Sequence, residues 1–440
     1  MRDAELYRNC DRYRRAVRDI GKVLREASPP PASVGLVNYE DAVLSPLRTG
    51  DLLEAAERPE LNPFYPYFRT RLTGIFRDKM PSAVGVSLNY LSQALCAFSI
   101  IGYIRREFPA VGIILGGGLV TSWIRSGLRQ NLFSGLVDYL VDGPGEVKLL
   151  SLLGKQAAGG VTRPDYHLLS RDEYLSPGFI LPYSASSGCY WNRCDFCPEK
   201  AEATPFVPIP PERAVEDLLG LVQETDPVLI HLLDNAVSPA LLKALARCDM
   251  RVPWYGFARA DSHLADLDFC VALKKAGCVM LKLGIESGDQ GVLDALQKGI
   301  SLETVSRVLR NLTKAGIAAY VYLIFGTPVE NEEAACKTLD FTARHGDCIS
   351  FLNLAIFNMP VCGDAGPMIE KRDFYDGDLS LYTDFIHPAG WDRKAVRLFL
   401  ERTFRRHPAI AVILKNEPPV FTSNHAPFFT GTDRHPRIRF

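Results

Sequence analysis

The chain has 440 residues, enough for two domains that each bury a hydrophobic core. Hydrophobic residues make up 47% of it and charged residues 23%, an ordinary globular composition that excludes an intrinsically disordered chain. The 50 lysine and arginine residues balance the 51 aspartate and glutamate residues, so the sequence has no general basic character of the kind that binds nucleic acid.

Three features predict the compartment. The charged start, Met-Arg-Asp-Ala-Glu-Leu, lacks the apolar core of a signal peptide. The most apolar short run, residues 111–120, is too short and too rich in glycine to span a bilayer. Eleven cysteines, mostly scattered, suit reduced thiols and one metal site better than a disulfide framework. We therefore expect a cytoplasmic protein without a membrane span.

Residues 1–155 are predicted to form the first domain, a doubly wound parallel sheet of the Rossmann type preceded by a helix. The opening helix covers residues 5–27 and ends before a run of prolines, through which no helix continues. Short apolar strands then alternate with helices, an order typical of a parallel sheet. The predicted strands are residues 34–37, 83–88, 111–115 and 139–141, and the clearest helix is residues 93–108.

Glycine-rich loops follow the third and fourth of these strands, where a fold of this class binds its ligands. The first loop is Gly116-Gly117-Gly118, and the second lies at residues 142–146. Thr121 stands where a dinucleotide-binding fingerprint has its last glycine, so that fingerprint is absent. A tight turn explains the triple glycine equally well.

Two further segments precede the second domain. Residues 61–76 are dense in aromatic residues and arginine, and we expect them to pack against the second domain, with substrate lining as the alternative. Residues 156–177 are polar and contain glycine and proline, which predicts a linker.

Residues 178–360 are predicted to form the second domain, in which strands and helices alternate. The strands are 179–183, 228–233, 254–257, 279–284, 318–325 and 349–356, and the helices are 211–223, 239–247, 264–276, 301–315 and 331–345. Six such units predict a partial (β/α)6 barrel of the TIM type, not a closed eight-stranded one. Residues 361–440 are a small C-terminal extension with one helix at 392–406, and we expect its residues 424–429 to cover the barrel mouth.

Polar residues collect at the carboxyl ends of the barrel strands, the edge at which barrels bind ligands. They are Asp234 and Asn235 after the second strand, Arg259 after the third, Glu286 and Ser287 at the fourth, and Gly326 after the fifth. A helix cap or a turn explains each residue alone. Their repeated placement favours a binding site, because a sheet built only for packing needs no polar group at every upper edge.

Three cysteines, Cys189, Cys194 and Cys197, lie within nine residues in the spacing C-x4-C-x2-C. Thiolates are the ligands of soft metals and of iron–sulfur clusters. A structural zinc site or a ferredoxin-type cluster takes four ligands, and the nearest histidines, His167 and His231, lie outside this loop. A cluster held by three cysteines leaves one iron open for a small molecule. A zinc site or a purely structural loop is the alternative.

The segment Gly-Cys-Tyr-Trp-Asn-Arg-Cys-Asp-Phe-Cys resembles the cluster loop of the radical S-adenosylmethionine (SAM) superfamily. That resemblance implies a [4Fe–4S] cluster whose open iron binds SAM. The superfamily's usual spacing is C-x3-C-x2-C, and the extra residue here resembles the variant of members that carry a cobalamin-binding-like N-terminal domain. The resemblance implies SAM-binding roles for Phe196, Asp234, Asn235, Arg259, Glu286, Ser287, Ile324 and Gly326.

The first domain resembles the cobalamin (B12)-binding domain that precedes many radical SAM cores. The similarity lies in Val-Gly-Val-Ser-Leu-Asn-Tyr, Leu-Gly-Gly-Gly and Asp-Gly-Pro-Gly-Glu, and it implies cobalamin contacts at Ser87, Gly116 and Gly117. The Asp-x-His-x-x-Gly motif that supplies a lower cobalt ligand is absent. Members without that histidine and members without cobalamin both exist, so cobalamin binding stays open.

The resemblance implies reductive cleavage of SAM and radical chemistry on an unidentified small molecule or peptide. Cobalamin-dependent C-methylation is the reaction to expect if cobalamin binds, and the electron donor is expected to be a flavodoxin or ferredoxin. The alternative is a noncatalytic cobalamin- or zinc-binding regulatory protein. Cys362, just after the last strand, is either an inert thiol or a further metal-binding or radical-handling residue.

Overall fold

A computed structural model describes residues 1–127, 131–156, 162–169, 173–363, 369–373 and 376–417. Its α-helices are α1 (Cys10–Ala27), α2 (Thr49–Glu57), α3 (Tyr65–Lys79), α4 (Leu91–Glu107), α5 (Gly118–Arg125), α6 (Glu146–Leu152), α7 (Pro198–Ala201), α8 (Pro211–Thr225), α9 (Pro239–Leu245), α10 (Leu267–Lys275), α11 (Gln290–Ala295), α12 (Leu302–Ala315), α13 (Glu332–Arg344), α14 (Arg393–Phe399) and α15 (Pro408–Leu414). Short 3-10 helices cover Ala4–Arg8 and Pro59–Leu61.

The strands are β1 (Ala32–Val34), β2 (Tyr39–Asp41), β3 (Ala83–Ser87), β4 (Gly112–Gly116), β5 (Tyr139–Leu140), β6 (Ile180–Tyr183), β7 (Ser186–Ser187), β8 (Val207–Pro208), β9 (Leu229–Leu232), β10 (Trp254–Ala258), β11 (Cys278–Glu286), β12 (Ala318–Phe325), β13 (Phe351–Ile356), β14 (Met359–Pro360), β15 (Lys371–Arg372) and β16 (Tyr382–Phe385). Nine of these described strands form two parallel sheets, of three and six strands, with helices between the strands, which confirms the predicted α/β class.

The N-terminal sheet is parallel, with the strand order β3-β4-β5. The strand expected at residues 34–37 does not join it. Instead β1 and β2 form a separate antiparallel pair, in which the Gly35 amide donates to the Asn38 carbonyl oxygen at 2.7 Å. That prediction was wrong because the chain turns back at Gly35 and pairs with its own next residues.

The aromatic segment packs within the N-terminal unit, so its predicted packing against the second domain is wrong. Phe68 and Phe76 on α3 are buried in the same cluster as α4 and the N-terminal sheet. The rings of Tyr65 and Phe68 meet the ring of Tyr103 on α4 edge to face, at 6.0 Å between centroids in both cases. Leu379 of the C-terminal extension joins this core.

The larger sheet is parallel throughout, with the order β6-β9-β10-β11-β12-β13. Since β6 and β13 are its two edges, the described strands form an open partial barrel, as predicted. Helices cover its outer face, and α12 shows how the sequence sets them. The Ser301 side chain caps its start by accepting from the Thr304 amide, and Gly316 ends it with a φ of 74°.

The C-terminal extension contains the small antiparallel sheet β14-β16-β15. The helix predicted at 392–406 is α14, capped by Asp392, followed by a π-helical turn over Leu400–Phe404. The helix α15 was not predicted, and residues 424–429, expected to cover the barrel mouth, lie outside the described part of the chain. Among the described helices, none combines the length and apolarity needed to cross a membrane.

Substituting Gly102 by alanine tests the contact between α2 and α4. A Cβ there would lie 1.8 Å from the Ala56 carbonyl oxygen, so the helices must separate, and we expect a loss of stability of about 1–3 kcal/mol. Gly74 in α3 has no atom within 4 Å of the same added carbon. Gly74→Ala should therefore stabilise the protein by about 0.5–1 kcal/mol. Denaturant unfolding followed by circular dichroism measures both, and equal stabilities would refute the close contact.

Candidate functional site

The cysteine loop leaves the barrel after β6 and begins at a close crossing of two chain segments. Its first residues, in β7, pair antiparallel with β8. Gly188 follows with a φ of 69°, and a Cβ on it would lie 2.4 Å from the Pro205 carbonyl oxygen. Only glycine fits this position without displacing the backbone.

Three hydrogen bonds tie the cysteine loop to the segment after α11. The Asp195 amide donates to the Leu296 carbonyl oxygen at 3.1 Å. The Gln297 side-chain amide donates to the Asp195 carboxylate at 2.8 Å, and the Trp191 indole donates to the Gln297 carbonyl oxygen at 3.0 Å. The loop is therefore fixed to a part of the chain about a hundred residues away.

The Trp191 ring lies against Gly299 and under Arg259. A Cβ on Gly299 would be 2.0 Å from the ring, so the ring occupies the space of the missing side chain. The Arg259 guanidinium stands 4.3 Å from the ring centroid and also donates to the Lys298 carbonyl oxygen. Arg259, expected to meet SAM, thus positions the cysteine loop in this structure.

At two of the three cysteines, burial and nearby positive or hydrogen-bonding groups act on the thiolate in opposite directions. Cys194 is buried, and Cys189 and Cys197 are half-buried. Burial raises the pKa of the Cys194 thiol, and the positive charges of Lys298 and Arg259 oppose that rise. Burial also raises the pKa of the Cys197 thiol, and hydrogen bonds from nearby backbone amides oppose that rise.

The described side chains do not form a site for a single metal ion. Among the described residues, no three histidine, cysteine, aspartate or glutamate side chains converge on one ion-sized point. The donor set of three thiols with two adjacent cations fits a [4Fe–4S] cluster, because each cysteine of such a cluster binds a different iron and the cations offset its negative charge.

Glu286 faces the cysteine loop from the fourth barrel strand. The pairing of β11 with β12 is irregular between Gly284 and Glu286, and Glu286 has a φ of 69°. Its carboxylate accepts from the Lys298 ammonium at 2.7 Å, and that ammonium stands 5.5 Å from the Phe196 ring centroid. The structure therefore links Glu286 and Phe196, two of the residues predicted to bind SAM, through a lysine that no sequence motif singled out.

Asp234 lies at the start of the cysteine loop, not in the open mouth. It is 2% exposed and accepts from the Ala185 amide at 3.1 Å and from the Ser186 hydroxyl. Burial raises the pKa of this carboxyl, and those hydrogen bonds oppose the rise. Asn235 beside it is exposed. Of this predicted pair, only Asn235 is open to a ligand.

Ser287 is also turned inward. It is fully buried, and its hydroxyl lies 3.1 Å from the Thr338 hydroxyl on α13 and accepts from the Asp289 amide. These bonds join the end of β11 to α13. Ser287 was expected near SAM, and the structure shows a side chain engaged in packing.

The loop after β12 is held by a buried carboxylate that the sequence did not reveal. The Gly326 amide donates to Glu330 at 2.5 Å, and the Trp391 indole donates to the same oxygen at 2.9 Å. Burial raises the pKa of Glu330 to about 7. Gly326 has a φ of 77°, and Ile324 lies half-buried on β12.

A cavity of about 550 Å³ lies between the N-terminal sheet and the cysteine loop. Residues of both units and of the extension line it, among them Gly117, Gly118, Gly143, Ser187, Gly188, Pro198, Cys362 and Tyr382. No histidine is among its described lining residues. Ser87 and Gly116 are not in that lining, and Ser87 is exposed and accepts from the Asn89 side chain at 3.2 Å.

Comparison with known proteins identifies the domain around this loop. Residues 183–342 match the family model of the Radical SAM superfamily. The chain is 26% identical to an uncharacterized methyltransferase of Pyrococcus horikoshii over 41% of its own length and 40% of that protein. It is 26% identical to the anaerobic magnesium-protoporphyrin IX monomethyl ester cyclase of Rubrivivax gelatinosus over 56% of its length and 47% of that protein. The chain thus spans less than half of each relative.

The fold is also similar to solved structures of the radical S-adenosylmethionine methyltransferase TsrM from Kitasatospora setae. The structure with cobalamin and a [4Fe–4S] cluster bound matches with a TM-score of 0.55 and 19% identity, over 80% of this chain and 82% of that one. The structure with tryptophan and a SAM analog bound matches with a TM-score of 0.54 and 20% identity, over 72% of this chain and 71% of that one.

Substituting Gly299 by alanine tests how the cysteine loop is held. The added carbon overlaps the Trp191 ring, and the φ of 67° disfavours alanine. If loop opening becomes easier by about 1.4 kcal/mol, the Cys194 thiol is exposed roughly tenfold more often. We expect iodoacetamide to alkylate Cys194 of the metal-free protein correspondingly faster, as measured by mass spectrometry. Gly74→Ala is the control, and an unchanged rate in Gly299→Ala would show that the ring does not hold the loop.

Proposed function

We propose that the protein is a radical SAM enzyme and that Cys189, Cys194 and Cys197 hold its [4Fe–4S] cluster, since residues 183–342 match the Radical SAM superfamily. The docked loop supports this, because Trp191 and Gly299 fix the backbone that presents the thiols. Held by these three cysteines, the cluster would supply the electron for reductive cleavage of SAM, which is the source of the radical in this chemistry.

The surrounding side chains have distinct tasks in this proposal. Lys298 and Arg259 supply positive charge beside Cys194, which offsets the charge of three thiolates. Arg259 also positions the loop through the Lys298 carbonyl oxygen and the Trp191 ring. Phe196, under the Lys298 ammonium, covers the loop from the barrel side and limits water around the site.

We place SAM at the barrel mouth, between the cysteine loop and the upper ends of the barrel strands. Glu286, Asn235, Ile324 and Gly326 lie on this edge and are the residues we assign to SAM. Asp234 and Ser287 are buried and fully engaged with neighbouring segments, so we assign them to positioning the loops that carry those residues. One observation carries the proposal. The cysteine loop is hydrogen-bonded to the Leu296–Gly299 segment and lies beside the positive charges of Lys298 and Arg259.

Alanine at each of the three cysteines tests the cluster assignment. We expect each variant, purified anaerobically, to lose most of its iron and to form no 5′-deoxyadenosine from SAM with dithionite, because a cluster with two ligands is not retained. Cys336→Ala is the matched control, since Cys336 is exposed on α13.

The same assay separates this function from a regulatory protein. A wild-type protein that binds zinc without colour, or a triple alanine variant that keeps its iron and its SAM cleavage, would contradict the proposal. Iron, sulfide and zinc analysis of the same preparations distinguishes these outcomes.

We further propose that cobalamin binds in the cavity between the N-terminal sheet and the cysteine loop, and that the enzyme methylates carbon in a small molecule or peptide. The support is the cavity's position, between the glycine loop at Gly117 and the segments that flank the cysteines, Ser187, Gly188 and Pro198. The similarity to TsrM with cobalamin bound agrees with it. The electron donor we expect is a flavodoxin or a ferredoxin.

Leucine at Gly118 tests the cobalamin site. Gly118 lines the cavity, and an added Cβ meets only the Asn89 side chain at 3.6 Å, so leucine fills space without straining the backbone. We expect the variant to bind hydroxocobalamin at least about tenfold more weakly than the wild type, because an inserted side chain costs several kilocalories of lost contact. Gly74→Leu, on an open helix face, is the control. Equal cobalt contents in both variants and the wild type would place cobalamin elsewhere or exclude it.

A further inference from the structure

An ammonium group lies inside the barrel, below the mouth. Lys282 is on β11 and is 1% exposed. Lys282 and Gly284 lie on the face of β11 that points into the barrel. Leu281 and Leu283 alternate with them along the strand and are buried in the core beneath the helices. A lysine is almost never this buried without a partner.

Aromatic rings surround the Lys282 ammonium. Its Nζ stands 5.0 Å from the ring centroid of Tyr255 and 5.1 Å from that of Phe257, both on β10. His231 on β9 stacks on Tyr255 with 4.2 Å between ring centroids. The rings of Phe257 and Tyr322 are 5.0 Å apart and continue this wall onto β12. The interior thus has apolar walls and one cation.

No anion within the described residues neutralises this cation. No carboxylate forms an ion pair with Lys282, and no described acceptor takes a hydrogen bond from its ammonium. Burial alone lowers the pKa of Lys282 to about 8, with no opposing contribution from an acidic group. Glu417, the acid whose charge reaches the interior, acts on Tyr320 and Tyr322 and not on Lys282.

His231 provides a neutral hydrogen-bonding group beside Lys282. Burial and the charge of Lys282 lower the pKa of His231 to about 3, so the imidazole is uncharged at neutral pH and offers one donor and one acceptor. Asn353, on β13, faces the same interior and interacts with the Tyr320 hydroxyl. A neutral imidazole therefore lies near the Lys282 cation, and Asn353 is a second neutral polar group on the inner face of the barrel.

Lys282 lies below the proposed SAM site, further into the barrel. Glu286 and Lys298 fold over Gly284, since a Cβ on that glycine would meet Glu286 at 2.5 Å and Lys298 at 3.0 Å. Lys282 is the next inward residue below them. Around Lys282, the inward-facing residues His231, Phe257 and Tyr322 are half-buried and not fully buried, so solvent reaches the barrel interior on the side where Lys282 lies.

Resting on the radical SAM function proposed above, we propose that Lys282 binds the anionic group of the substrate, a carboxylate or a phosphate, inside the barrel. The rings of Tyr255, Phe257 and Tyr322 contact its apolar body, and His231 and Asn353 donate hydrogen bonds near the charge. The rest of the substrate extends toward the mouth, where the reaction begins.

Three small aromatic probes test this assignment in the holoenzyme with SAM, under anaerobic conditions. Benzoate carries a carboxylate, phenyl phosphate a phosphate, and benzamide has the same ring without a charge. Dissociation constants follow from the rise in Tm with probe concentration. We expect benzoate or phenyl phosphate to bind about tenfold or more tightly than benzamide, the difference expected of a charge-assisted hydrogen bond in a buried site.

Lys282→Met should abolish this preference, whereas Lys274→Met, a lysine on the outer helix α10, should keep it. The tighter of the two anions identifies the substrate's acidic group as carboxylate or phosphate. Equal binding of benzoate, phenyl phosphate and benzamide, or an unchanged preference in Lys282→Met, overturns the proposal.

Lysine modification tests the site in the unaltered protein, should Lys282→Met not fold. Benzoate or phenyl phosphate should protect Lys282 from reductive methylation while benzamide does not, as mapped by mass spectrometry, and absence of such protection overturns the proposal. Formation of 5′-deoxyadenosine is followed in the same samples. If SAM cleavage persists without the anion preference, only the Lys282 assignment fails, whereas an anion preference without SAM cleavage contradicts the proposed function instead.

Discussion

The site depends on one contact, the Trp191 ring lying in the space that Gly299 leaves open. The ring is held from the other side by the Arg259 guanidinium, and its indole nitrogen donates to the Gln297 carbonyl oxygen. Any side chain at position 299 would push the ring away. Because the ring belongs to the loop that carries the three cysteines, this contact sets where the thiols stand relative to the barrel.

The same short segment also carries the charge that the site needs. Lys298, next to Gly299, pairs with Glu286 and lies near Cys194, so one backbone stretch joins the cysteine loop to the fourth barrel strand. A buried ion pair contributes little to stability by itself, but it fixes geometry once both charges are desolvated. Its role here is to hold a cation beside Cys194.

The C-terminal extension connects the barrel to the N-terminal sheet. Trp391 donates to the buried Glu330 that holds the loop after β12, while Leu379 is buried in the N-terminal core. Cys362 lines the cavity between the two units. A movement of the extension would therefore displace residues at both the barrel mouth and the cavity.

The sequence by itself determined the order of strands and helices, the partial barrel and the three-cysteine loop, because apolar periodicity, caps such as Ser301 and ligand spacing are local properties. The two local errors, at residues 34–37 and 61–76, concern which partner a segment packs against. Only the tertiary structure decided that Asp234 and Ser287 turn inward and that Arg259 packs on Trp191. It also decided that Lys282 lies inside the barrel without an ion-pair partner among the described residues. Those outcomes depend on contacts between distant parts of the chain, and no local pattern records which residues will meet.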